Sequence, residues 1–313
     1  MSRFCSVLTL VCMGVVMILP HFAHAAPYAE GPKKCQECHE AEYEVWQNSQ
    51  HAKAYKAFHK RKDAKRIVKA VGGSKSVKKN ANCALCHYTR VQKKASGKAR
   101  AKAGPSCESC HGASSDWRSV HNDFGSSDDP KKETKANRTK RHAAARKSGM
   151  IWSFMRYDIA SKCMDCHGLA NPKLKADVLA KMLDAGHPLK PEFEVVRYSQ
   201  GSVLHRFYPP DVTSNKPLDK AGLSRLFVEG QMAKLVSASR AASKSKHPKY
   251  AAAQKRRAAD ARAALAKVKS VPAINKFLSK PNDASARAVE AAISNKDLSG
   301  EVGGLLPASS SYK

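Results

Sequence analysis

Apolar positions follow two regimes along this chain. From about Asp219 onward they recur at helical spacing: Leu223, Phe227 and Val228, then Met232, Leu235 and Val236, keep a stripe at i, i+4 intervals. Beyond His247-Pro248 a second helix presents Ala258, Ala261, Leu265 and Val268 on one face and stops before Pro272. Shorter helical pieces are expected over Ala273–Leu278 and Ala284–Ile293. One apolar stripe on each of two long helices predicts an antiparallel pair packed on the rest of the molecule. Gly303 to Lys313 reads as a disordered tail.

Before residue 211 the apolar pattern thins. One helix is expected from Glu40 to Ala57, and no strand-forming pattern of consequence is present. Basic stretches intervene at Lys60-Arg61-Lys62, Lys75–Lys79, Lys93–Lys102 and Lys131–Lys147, and read as loops or solvated helix faces broken at Gly72-Gly73 and Gly97. Ser126 to Pro130 reads as a flexible loop. The first 25 residues carry the grammar of an export signal: Arg3, an apolar stretch from Val7 to Leu19, and Ala23-His24-Ala25 as a small-x-small cleavage pattern. That stretch is short for a membrane span of roughly 20 residues, and no other segment is apolar enough to cross a bilayer. The expected organisation is a signal peptide at 1–25, a domain at 26–210, a helical region at 211–302 and a tail at 303–313, in an all-α fold.

The chemistry lies in the cysteines. Four copies of Cys-x-x-Cys-His occur, at Cys35–His39, Cys83–His87, Cys107–His111 and Cys163–His167. In each, two thiols on one helical turn reach the two vinyl groups of a heme, and the following histidine supplies the proximal imidazole. Of ten cysteines, only Cys5 and Cys12 fall outside these motifs, both within the signal segment. The remaining thiols are Cys35, Cys38, Cys83, Cys86, Cys107, Cys110, Cys163 and Cys166, so four covalent c-type hemes use them all and no disulfide is expected. Two zinc ribbons would also use eight thiols, but they do not require a histidine after every second cysteine and are seldom exported. The pattern predicts a multiheme c-type cytochrome.

A six-coordinate heme needs a second ligand. Seven histidines stand outside the signal segment and the motifs: His51, His59, His121, His142, His187, His205 and His247. On a continuous helix His39 and His51 would lie about 18 Å apart at a rise of ~1.5 Å per residue, so His51 must serve an iron other than that of His39. His59 and His142 sit among Lys and Arg and read as solvated or near propionates; His247 is the weakest candidate. Trp46, Trp117 and Trp152 each lie near a motif and are expected to pack on porphyrin faces.

Gly31 to His39, with Trp46-Gln47-Asn48-Ser49-Gln50-His51-Ala52-Lys53-Ala54, resembles the start of the cytochrome c-554 family. Gly104 to Gly112, followed by His121, resembles that family's third heme segment, and the likeness in heme order and spacing runs from about Gly31 to Phe207. The resemblance implies that His121 completes the His39 heme and His51 the His167 heme. Ala185-Gly186-His187-Pro188 and Gly201 to Phe207 around His205 resemble ligand segments of multiheme relatives. The resemblance to the family's name-giving member implies a third heme that takes a histidine downstream of the last motif and a second heme that is five-coordinate. This chain offers two downstream histidines, and the favoured assignment is His205 to the His111 heme and His187 to the His87 heme.

The formal net charge is +30, and the expected signal segment contributes only Arg3 to it. Eight heme propionates would leave a large positive excess. Export and heme attachment argue against nucleic acid as its target. The balance points to an acidic redox-partner protein, a membrane quinol-oxidising module or an anionic membrane surface. The leading expectation is a periplasmic tetraheme electron carrier between respiratory redox partners, with no catalytic residue assigned. The alternatives are an oxidoreductase acting on nitric oxide, nitrite or hydroxylamine at an open His87 heme, and a filament subunit that borrows a ligand from its neighbour.

Overall fold

The computed structural model describes residues 26–126, 129–208 and 211–313; the expected signal segment and part of the 126–130 loop lie outside them. About 58% of the chain is helical, and the one sheet described has two strands. The motif-bearing part runs α1 (Pro32–Gln36), α2 (Glu40–Asn48), α3 (Gln50–Ala57), α4 (Lys62–Val71), α5 (Ala81–His87), α6 (Cys107–His111) and α7 (Arg118–His121). It continues through α8 (Lys135–Lys147), α9 (Arg156–His167), α10 (Ala176–Asp184) and α11 (Val195–Ser199). The C-terminal part comprises α12 (Lys220–Ala242), α13 (Pro248–Leu265), α14 (Pro272–Ser279), α15 (Asp283–Ile293) and α16 (Ser299–Val302).

Two local expectations are corrected. The single helix from Glu40 to Ala57 is two helices, because Ser49 leaves the helical region at ψ 161° and restarts it. Its Oγ donates to the Trp46 carbonyl at 2.6 Å and accepts from the Ala52 N–H, which caps α3. The basic stretch after the second motif holds a hairpin, β1 (Thr89–Val91) antiparallel to β2 (Arg100–Ala103), with Thr89 opposite Ala103. Its closure comes from polar contacts rather than an apolar face: Gln92 Nε2 donates to the Gly97 carbonyl at 2.8 Å, and Thr89 Oγ1 to the Gly104 carbonyl at 2.9 Å.

Helix α12 is the centre of the molecule. It packs on α13, reached through the short connection 243–247, and also on α9, α11, α15 and α16. The main core joins Phe227, Val228, Met232, Leu235 and Val236 of α12 to Leu265, Ile274, Phe277, Val289 and Ile293. Tyr157, Ala160 and Met164 of α9 belong to the same core. The helix that ends in the fourth motif is therefore built into the C-terminal bundle. Two smaller clusters serve the motif-bearing part, one between α4 and α10 (Ile67, Val71, Leu179, Met182, Leu183), one around α5 (Val68, Val77, Cys83, Ala84, Tyr88).

The tail at 303–313, expected to be disordered, is docked. Lys313 N–H donates to the Arg197 carbonyl at 3.0 Å, the Lys313 carbonyl accepts from Ser202 N–H at 3.0 Å, and Arg197 Nε donates to the Ser311 carbonyl. Leu306 and Tyr312 pack against the main core, and this apolar anchoring is what orders a segment that composition alone leaves free.

Candidate heme-binding site

Each motif is positioned by its own local device. Gly31 precedes α1 at φ +99°, and the His39 N–H closes onto the Cys35 carbonyl at 2.9 Å. Asn80 caps α5, its Oδ1 accepting from Asn82 and Cys83 N–H while its Nδ2 donates back to the Gly72 carbonyl. Ser106 and Ser109 form a reciprocal capping box on α6. The fourth motif occupies the last turns of α9. Glu108, buried inside the third motif, accepts from the N–H groups of Glu30, Gly31 and Ser114 and from Ser114 Oγ, and so fastens the start of the first motif to the third.

The histidines come together in pairs. His39 and His121 have ring centres 6.3 Å apart, His51 and His167 6.1 Å, His87 and His187 6.2 Å, and His111 and His205 6.3 Å. A metal–imidazole bond is about 2.0 Å, and adding each ring's own radius gives about 6 Å between imidazole centres on opposite sides of one metal. Residues of this type at this spacing fit a heme iron between each pair. Close backbone approach helps set one of them: a Cβ on Gly104 would fall 1.9 Å from the His51 carbonyl oxygen. The other histidines are engaged elsewhere. His142 packs on Trp152 with centres 4.3 Å apart, His247 Nε2 meets Asp184 Oδ1 at 3.1 Å, and His59 lies among Lys60, Lys65 and Lys78.

Burial favours the neutral form, the one that can bind a metal, in six of the paired imidazoles. It lowers His87, His111 and His167 to about 4, and lowers His51, His121 and His187 in the same direction. His39 moves the other way, held above its ordinary value by the Glu42 carboxylate, whose Oε1 is 3.6 Å from Nδ1. Several rings place Nδ1 against a carbonyl, which fixes the ring and frees Nε2: His111 on Ile151 at 2.8 Å, His187 on Pro188 at 2.9 Å, His205 on Val203 at 2.6 Å and His121 on Arg118. His87 and His167 are instead stacked on aromatic rings, Phe58 at 3.9 Å and Phe193 at 4.0 Å.

The thiols report how the motifs neighbour one another. Cys35 touches Cys107, Cys110 faces Cys163 and Cys166, and Cys166 touches Cys86. The attachment points thus run in the file first, third, fourth, second. A cavity of about 390 Å³ lined by Cys86, Cys166, Tyr88, Ser109 and Leu85 lies along this file. Two buried polar atoms beside the motifs, Tyr88 Oη and Trp117 Nε1, have no protein partner. Trp46 donates to the Pro105 carbonyl and Trp152 to the His142 carbonyl. Sequence reasoning missed Glu42, Phe58, Glu108 and Phe193. Glu42, three residues beyond His39 on the next helix, carried a signal in its spacing; the two phenylalanines carried none.

Comparison with known proteins agrees with this chemistry. Residues 34–112 match the family described as cytochrome c554 and c-prime. A curated relative, cytochrome c-554 of Nitrosomonas europaea, is 28% identical over 148 residues, which cover 45% of this chain and 58% of the relative. The chain thus aligns with little more than half of that protein's length. No solved structure matches the chain. With its motif helices and its paired imidazoles, the chain is similar, over these matched residues, to c-type cytochromes of the cytochrome c-554 family.

Proposed function

We propose that this protein is a periplasmic electron carrier that holds four c-type hemes, each attached through one motif and each iron bound by two histidines. The observation that carries the reading is the set of four imidazole pairs at 6.1–6.3 Å. Cys35 and Cys38 with His39 and His121 hold the first heme, and Cys83 and Cys86 with His87 and His187 the second. Cys107 and Cys110 with His111 and His205 hold the third, and Cys163 and Cys166 with His167 and His51 the fourth. When bound, each heme supplies a one-electron ferric/ferrous couple. With a histidine on each side, the iron would have no position left for substrate, and the carbonyls against the ring nitrogens hold several of the imidazoles in place. The neighbouring thiols favour relay along the file first, third, fourth, second.

Partner docking is assigned to the face around α8. That helix carries Lys135, Arg138, Lys140, Arg141, Arg146 and Lys147 and no acidic residue. Beside it Phe154 is 56% exposed and stacks on Trp152 at 5.9 Å, and Trp152 lies 6.4 Å from His121, a ligand of the first heme. A basic rim around an exposed aromatic that leads to an axial ligand suits an acidic redox protein.

EPR of the oxidised, heme-loaded protein tests the ligation. Low-spin ferric signals alone, unchanged by added nitric oxide, are expected. A high-spin signal near g of about 6 that responds to nitric oxide would reveal an open iron and transfer the reading to an oxidoreductase of small nitrogen species. Heme counting by mass on the exported protein, expected to begin at Ala26, checks the number four.

A further inference from the structure

The fourth motif is backed by a charge that the reading above leaves unused. On α13, Tyr250, Gln254 and Arg257 fall on one face and all reach the chain just after His167. Tyr250 Oη donates to the Leu169 carbonyl at 3.0 Å and Gln254 Nε2 to the Gly168 carbonyl at 2.9 Å. The Arg257 guanidinium lies over Gly168 itself, where an added Cβ would sit 2.4 Å from three of its atoms. Glycine at 168 is what leaves room for the cation.

Arg257 is 2% exposed. Its donors go to Gln254 Oε1 at 2.6 Å, Met164 Sδ at 3.3 Å and Ser237 Oγ at 3.3 Å, none of which is charged. Buried Lys234 adds a second cation nearby and itself faces Glu192, Glu194 and Asp260. A guanidinium buried against neutral partners is costly unless negative charge comes within its field. The propionates of a heme attached at Cys163 and Cys166 would not be that charge, because they are carried on other pyrroles than the two thioethers, and Met164 and Gly168 flank the attachment residues themselves.

We propose that Arg257 is an electrostatic trap: its buried positive charge favours the reduced form of the heme attached at Cys163 and Cys166 and makes that heme the resting place of an electron. This rests on the four-heme reading above. One electron arrives from the redox partner, the iron passes from ferric to ferrous, and no bond is made or broken. Arg257 touches neither iron nor partner; it is a positioning residue that acts through the field at His167. The cation comes from α13, outside the matched residues 34–112, so the C-terminal bundle sets a property of the fourth heme as well as supporting it.

The test is an EPR-monitored potentiometric titration of the heme-loaded protein, its Arg257→Met and Arg257→Lys variants, and Ser237→Asp, which sets a carboxylate beside the cation. His51→Ala identifies the signal, because opening that iron turns its low-spin resonance high-spin. At a fixed poise Arg257→Met should lower the reduced-to-oxidised ratio of this heme about tenfold, equivalent to about 59 mV for one electron. The other three hemes should change less than about twofold, in keeping with the fall of a charge's influence with distance. Arg257→Lys should retain the wild-type ratio, and Ser237→Asp should lower it with Arg257 in place. Equal shifts in the Met and Lys variants, or no shift in Ser237→Asp, would overturn the proposal. If Arg257→Met does not assemble, Ser237→Asp against wild type decides it. A failure of His51→Ala to yield a high-spin signal would instead sink the ligation scheme.

Discussion

At the scale of single residues, carboxylates set the behaviour of two sites. Glu42 is the only carboxylate described against a ring nitrogen of a motif histidine, and it gives His39 anionic character that favours ferric iron. Glu42→Gln should therefore raise the potential of the first heme by about 59 mV for each tenfold change in its redox ratio, read in the same titration. Glu229 sits fully buried on α12, its Oε1 accepting from Arg156 Nη2 at 2.9 Å. Burial outweighs that ion pair and pushes its carboxyl up to about 7. The folded value thus lies above the unfolded one near 4.5, so the folded state binds the extra proton between these values. Stability is highest below about pH 4.5 as far as this group is concerned and is lost as pH rises through about 7, by up to ~3 kcal/mol. Unfolding followed from pH 5 to 8 should show this slope in the wild type and a flatter curve in Glu229→Gln.

Helices and loops show what a sequence discloses about itself and what it withholds. The stripe Leu223, Phe227, Met232 and Leu235 announces α12, and Pro272 ends the preceding segment where α14 begins, because spacing and a missing N–H act locally. The break at Ser49 also had a local cause, yet serine inside a helical pattern is compatible with either outcome. Arg257 was illegible for a different reason: in an alanine-rich helix an arginine reads as a solvated position, and only its packing against α9 and α12 reverses that. The paired histidines lay in view as residues, while their distances needed the fold. Glu108 is the clearest joint between elements, since it serves three N–H groups and one hydroxyl from two other segments. Glu108→Ala should cost about 1–3 kcal/mol in thermal or denaturant unfolding, because buried donors are left unserved. Loss near zero would mean that α1 and α6 are held together by other contacts.

Across the whole molecule, charge and connectivity work at different ranges. The excess of cations acts over roughly a Debye length of ~8 Å at physiological salt and governs encounter more than residence. Reversing the exposed Lys140 and Arg146 to Glu should slow association with an acidic redox protein about tenfold at low salt and leave little difference at high salt, measured by stopped flow. An effect that persists at high salt would place the docking face elsewhere. Connectivity has a consequence for how such a protein is made. The pairs join residues 39, 51, 87 and 111 to residues 121, 167, 187 and 205 in that same order. Every pair therefore spans the stretch between 111 and 121, and neither side of it closes a single pair alone. On the proposed ligation, synthesis would deliver the first three motifs before any of their partner histidines, so each of those irons would stay half-ligated until the later histidines follow. If the proposed ligation holds, a chain cut within that stretch would yield two fragments that are each incomplete, yet joined to one another at four irons once mixed with heme in place.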